Sequence, residues 1–191
     1  MCIRDRYNYG VFSARYGNIY TPLQLKQLIE RAYGEFSPLE YCWAGRGGSF
    51  VDPFRPQIQP GGFISEAELV SDQLVHLRAV REAFEAMDVF IFTLGLTECW
   101  LDQRDGAVFP LAPGVAGGCW DSNKFIFANL ELEQVKADLQ WSIDYLRRIN
   151  PSVRILLTVS PVPLNATAVN KHVYVATTYS KSVLRLSLIH I

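Results

Sequence analysis

No sign of charge predominates in this sequence: 18 Lys and Arg stand against 19 Asp and Glu, for a formal net charge of -1. A surface that neutralises phosphates needs a basic surplus, so nucleic acid is excluded as a partner. Long apolar runs are missing too. The longest, Val89 to Leu96, is broken by Thr93 and Gly95; it falls well short of the roughly 18 residues that a membrane-spanning helix needs. Cysteine is scarce at four residues and histidine at three. No two cysteines stand in Cys-x-x-Cys spacing and none sits near a histidine at ligand spacing, so no metal site can be read. A cofactor signature is lacking as well: Gly45-Arg-Gly-Gly48 misses the Gly-Lys-Ser/Thr ending of a phosphate loop. Unpaired, reduced thiols suit a cytoplasmic protein.

Apolar residues are abundant. The chain has 191 residues, of which 49% are hydrophobic, 13% aromatic and only 19% charged. That composition excludes disorder, collagen and coiled coil, and the length suits one domain that buries roughly 70% of its unfolded surface.

The two ends read as foreign to this domain. The chain starts MCIRDR and stops at LSLIHI. One back-translation of Leu186 to Ile191 is CTG TCT CTT ATA CAC ATC, and its reverse complement contains ATG TGT ATA AGA GAC AG, which reads Met-Cys-Ile-Arg-Asp. A single DNA element read on opposite strands gives both strings, and it resembles the transposon end used in sequencing libraries. The expectation is that residues 1–6 and 186–191 are artefact and that the domain occupies 7–185, incomplete at both ends. Cys42, Cys99 and Cys119 then remain, with His76 and His172 as the histidines.

Between those ends the pattern alternates. Residues 21–33 predict a helix with Thr21 as N-cap, Pro22 in its first turn and a stripe of Leu25, Leu28, Ile29 and Ala32. Residues 35–63 form a Pro/Gly-rich excursion of the kind that often walls a pocket. Ser65-Glu-Ala-Glu68 predicts a capping box for a helix to about Met87, buried through Leu69, Leu74, Leu77, Val80, Ala83 and Phe84. VFIFTLG then predicts a strand buried on both faces, as in a parallel sheet. A second Gly/Pro-rich excursion covers 101–123, with a hairpin turn at Asp105-Gly106. A helix to Ile149 begins at Leu130 or Glu131, with Asn129 as N-cap, and Asn150-Pro151 stops it. VRILLTV predicts a second buried strand, and a last helix spans Tyr179 to Arg185. This rhythm is that of an α/β domain with a parallel sheet. In such sheets ligands bind at the carboxyl ends of strands, here Gly95-Leu-Thr-Glu98 and Ser160-Pro-Val-Pro163.

Five strings in order, FSARYGNIYTPLQLKQL (12–28), DPFRP (52–56), FTLGLTECW (92–100), NPSVRILLTVSPVPLNAT (150–167) and HVYVATTYSKSVLR (172–185), resemble the GSCFA family over essentially all of 11–185. That family is grouped with the SGNH, or GDSL-type, ester hydrolases. The resemblance implies a three-layer α/β/α sandwich around a parallel sheet, flavodoxin-like in outline, and a serine esterase or acyl hydrolase of bacterial type without metal or cofactor. It implies a serine nucleophile in the Gly-Ser-Cys-Phe-Ala motif, upstream of Tyr7, and an Asp-x-x-His pair downstream of Arg185. Neither motif occurs within 7–185, so this chain is expected to be inactive alone.

By the same resemblance the oxyanion glycine maps to Gly17 in Tyr16-Gly17-Asn18, and the superfamily's Gly-x-Asn-Asp block to Gly95-Leu96-Thr97-Glu98. Threonine stands where the asparagine should be; Asn18 could supply that amide instead. The oxyanion and pocket candidates are thus Gly17, Asn18, Thr97 and Glu98, and the substrate-binding candidates Gly95, Ser160, Arg55, His172 and Trp100. Several have structural roles open to them: a turn for Gly17 and Asn18, a cap for Thr97 and Glu98, an internal salt bridge for Arg55, loop packing for Trp100. Nothing marks Cys99 with His172 as a thiol–imidazole pair. The expected partner is a small or carbohydrate-linked ester, with no nucleic acid, no membrane span and an oligomeric state left open. The alternative is a binding module that keeps the fold without the chemistry.

Overall fold

A computed structural model describes residues 14–191, and the expected foreign string at 1–6 lies outside the described residues. Helix α1 (Pro22–Ala32) begins where predicted. Thr21 Oγ1 accepts from Gln24 N at 3.2 Å, and Gln24 Oε1 accepts in return from Thr21 N at 3.0 Å and Tyr20 N at 2.8 Å. This reciprocal cap fixes the entry of the chain as well as the helix.

The first excursion holds a short antiparallel hairpin, β1 (Trp43–Ala44) with β2 (Phe50–Val51), joined by a turn at the Gly45–Gly48 stretch. Helix α2 (Glu66–Ala86) follows, with Ser65 Oγ accepting from Glu68 N. The capping box is only half formed, because Glu68 Oε2 accepts from Ile64 N, one residue earlier than the pattern predicts. Leu74 faces solvent at 61% exposure, whereas Gln73 and His76 are buried. The reason is polar pairing: Gln73 Nε2 donates to Tyr41 O at 2.8 Å and His76 Nδ1 to Ala14 O at 2.6 Å. These side chains satisfy carbonyls of irregular segments that no ladder serves.

Strand β3 (Val89–Leu94) pairs in parallel with β7 (Arg154–Val159), in register from Val89 beside Arg154 to Leu94 beside Val159. Between them run β4 (Glu98–Asp102), β5 (Val108–Phe109), β6 (Phe125–Asn129) and helix α3 (Leu132–Ile149); helix α4 (Val173–Ile189) closes the chain. The protein is therefore a mixed α/β structure with a parallel sheet. A second, antiparallel sheet of order β5-β4-β6 stands beside it. The hairpin at Asp105-Gly106 forms as predicted, with Gly106 at φ 77° and its N–H on Asp102 O.

Three boundaries differ from the sequence expectation. The N-cap of α3 is Glu131, while Asn129 ends strand β6. Helix α4 starts at Val173, six residues before Tyr179, and continues through Leu186–Ile189. Among the described residues, β3 and β7 are covered on one face only. Phe92, Leu94 and Val159 join a core with Leu25 and Ile29 of α1, Val80 and Phe84 of α2, Leu139 and Leu146 of α3 and Leu184 of α4. Each fully buried side chain there contributes on the order of 1.5–3 kcal/mol. The other face leaves Ile91 62% and Leu156 51% exposed, with Thr93 and Thr158 hydroxyls paired at 2.8 Å. A smaller aromatic core joins the excursions: Trp43, Phe109 and Phe125, with Trp43 and Phe109 centroids 5.1 Å apart.

Candidate functional site

The carboxyl ends of β3 and β7 are adjacent, since Ser160 N donates to Leu94 O at 2.9 Å. The helix cap reaches them through Tyr20, whose carbonyl accepts from Gly95 N at 2.8 Å and Leu96 N at 3.3 Å. Gly95 packs closely here: an added Cβ would meet Tyr20 backbone and ring atoms at 3.2–3.3 Å, so Tyr20 would have to give by a few tenths of an ångström. From below, α4 clamps the same turn: Ser180 Oγ accepts from Thr97 N at 3.0 Å and Lys181 Nζ donates to Gly95 O at 2.5 Å. Burial lowers the Lys181 pKa, with Arg185 adding to the effect. No local pattern in HVYVATTYSKSVLR marks Ser180 or Lys181 as site residues. The signal that could have found Lys181 is a cation on the face that α4 buries with Ala176, Val183 and Leu184.

Beside these tips opens a cleft of about 610 Å³. Gly95, Glu98, Trp100 and Ser160 line it together, with Tyr20, Phe127 and the 162–168 loop. That loop is tied to β4 by the Thr167 hydroxyl, which donates to Glu98 Oε1 at 2.5 Å. Ser160 Oγ accepts from Val162 N at 3.2 Å and so shapes its own Ser-Pro turn.

Gly17 and Asn18 line a separate, adjoining cavity of about 30 Å³ that shares Pro110 with the cleft; it has room for about one water. Gly17 lies against the DPFRP turn, where a Cβ would fall 2.9 Å from Phe54 O and from Arg55 Cγ. The Asn18 side chain is exposed and makes no hydrogen bond among the described residues. Arg55 is 2% exposed. Its Nε meets Asp52 Oδ2 at 2.8 Å, an Nη meets Asp72 Oδ2 at 2.7 Å, and the other Nη reaches Arg15 O at 3.4 Å. Its donors are thus committed inside the protein. Arg15, at φ 54° in the left-handed region, also pairs with Asp72.

Thr97 is fully buried, and its hydroxyl donates to Asn129 Oδ1 at 2.6 Å. With its N–H on Ser180 and its carbonyl accepting from Leu130 N, every polar group of Thr97 is engaged. Thr97→Val should therefore cost about 1 kcal/mol by removing the hydroxyl's bond to Asn129, measured by urea unfolding. His172 lines neither cavity; it caps α4, its Nδ1 accepting from Tyr174 N at 3.3 Å. Burial pushes the Cys99 thiol up to about 12, so it stays protonated at neutral pH. Among the described residues no group of three or more His, Cys, Asp or Glu is placed to hold a metal ion. None of the helices described is long and apolar enough to cross a membrane.

The geometry is that of an α/β protein with an open cleft at the carboxyl ends of two parallel strands. The family model described as "GSCFA family" matches residues 3–191, and the chain belongs to that family. No curated protein and no solved structure matches it.

Proposed function

We propose that this chain is the central part of a serine ester hydrolase of the SGNH type. The observation that carries this reading is the cleft at the ends of β3 and β7, the place where open α/β sheets bind ligands. In the proposal the nucleophilic serine and the Asp-x-x-His pair come from segments flanking residues 7–185. The serine attacks the ester carbonyl as the histidine takes its proton. The alcohol leaves with that proton, and water then releases the acid. The open face carrying Ile91 and Leu156 is where the second helical layer of a three-layer sandwich would pack.

The oxyanion needs preorganised N–H donors. The N–H groups of Gly95, Leu96 and Thr97 are all spent on Tyr20 and Ser180, so the donation would fall to side-chain amides, that of Asn18 in the adjoining cavity or that of Asn165 in the cleft, neither of which makes a hydrogen bond among the described residues. The same spent donors favour the second reading, a binding module with this fold and no hydrolysis. A serine-directed fluorophosphonate separates the two. The protein extended through both flanking motifs is expected to label at one serine, and the 191-residue chain is expected neither to label nor to hydrolyse a short-chain aryl ester. Failure of the extended protein to label would leave the binding module. Hydrolysis by the 191-residue chain would overturn the placing of nucleophile and base outside it.

A further inference from the structure

The wall of the cleft beside Gly95 carries one sign of charge. Among the described residues, Glu98 is the only acidic or basic side chain that lines it. Glu98 is partly buried and holds the Thr167 hydroxyl, yet it forms no ion pair among the described residues. The nearby Lys181 ammonium is turned to the Gly95 carbonyl from the core side and does not line the cleft.

The cleft that Glu98 lines also carries aromatic rings. Tyr20, Trp100 and Phe127 line the same space. Trp100 and Phe127 meet with centroids 5.3 Å apart at 63°, and Trp120 backs Trp100 at 5.3 Å and 81°. The rings are therefore braced at steep angles to one another. Ring faces carry the negative end of the aromatic quadrupole and attract cations. Carboxylate and rings thus act in the same direction: they favour a positive group that brings apolar surface with it, and they disfavour an anion. Arg55, the residue that could have attracted an anion, is internally paired in the adjoining cavity.

We propose that this cleft seats an alkylated ammonium group between the aromatic rings and Glu98. The binding claim stands without hydrolysis; that the cation belongs to an ester substrate rests on the function proposed above. The test is an NMR titration of the 191-residue chain with acetylcholine, with its uncharged isostere 3,3-dimethylbutyl acetate, and with 3,3-dimethylbutanoate, following the indole N–H resonances. Acetylcholine is expected to bind about tenfold more tightly than the isostere, and the carboxylate more weakly than either. Glu98→Gln keeps an acceptor for Thr167 and is expected to bring the acetylcholine preference down to about threefold or less, with an unchanged far-UV spectrum and melting temperature. Trp100→Phe retains an aromatic wall and should keep a reduced preference. A wild-type preference below about threefold, or one that Glu98→Gln leaves intact, overturns the proposal. Cation binding by this chain without fluorophosphonate labelling of the extended protein would retain the binding site and discard the hydrolase. Labelling without cation binding would do the reverse.

Discussion

Arg55→Ala is expected to be strongly destabilising, lowering the protein's stability by about 3–5 kcal/mol in urea unfolding. The guanidinium is 2% exposed and lies between Asp52, itself 1% exposed, and Asp72. Removing it leaves the buried Asp52 carboxylate with only the Phe54 N–H and the field of Arg31, which is costlier than the net worth of the pair. The damage also reaches the site. Arg55 donates to Arg15 O, and its side chain and the Phe54 carbonyl form the floor against which Gly17 sits. Asp72 holds Arg15, whose left-handed backbone needs support from its surroundings. Arg55→Ala should therefore release residues 14–18 together, seen as faster amide exchange at Gly17 and Asn18. Arg55→Lys keeps the charge but cannot reach two carboxylates in the fork geometry, so it should restore only part of the stability. Equal stability of Arg55→Ala and wild type would show that the ionic cluster contributes nothing net.

Much of the scaffold was legible because it follows from periodicity. The stripe of Leu25, Leu28 and Ile29 and the runs VFIFTL and RILLTV gave α1, β3 and β7 nearly to the residue, and the parallel pairing followed from the helices between them. The antiparallel sheet was not foreseen. Its strands ECWLD and FIFAN are five residues each, and they border a Gly/Pro-rich segment in which no alternation stands out. Among the described residues β3 is covered on one face only; a continuous apolar run records what a strand tolerates and not which neighbours cover it.

Site residues divide by the same logic. Gly95 and Ser160 were placed by the rule that strand ends bind ligands, and both line the cleft. Roles fixed by long-range hydrogen bonds were invisible. Thr97 is held by Asn129, 32 positions away, and by Ser180, 83 positions away, and no local pattern encodes such partners. Arg55 was open to an anion or to an internal pair until Asp52 and Asp72 were seen to occupy it.

The second large effect is on pH dependence. The protein is expected to lose about 3 kcal/mol of stability to His76 alone as pH falls from about 6.5 to about 4. Burial lowers the His76 pKa to about 4, the Arg55 cation reinforces this and Arg31 adds a little; the Ala14 carbonyl and Asp52 oppose it. The ring is 4% exposed and packs edge-on to Tyr16 at 5.9 Å, so solvent screens little of the effect. Well above pH 6.5 the imidazole is neutral in folded and unfolded chains alike and the full stability is present. Below that, the unfolded chain takes up a proton that the folded chain refuses until about pH 4, and each step down favours unfolding. Glu30 and Asp138, whose carboxyls burial pushes up, work the other way near the acid end, while Asp102, held low by Arg104, loses its contribution at still lower pH. The clean measurement is therefore a difference. His76→Gln keeps a donor for Ala14 O and cannot titrate, so urea unfolding of wild type minus variant should change by about 3 kcal/mol between pH 7 and pH 4. A flat difference would mean that the imidazole titrates alike in both states and is not sealed beneath the Tyr16–Asn18 segment.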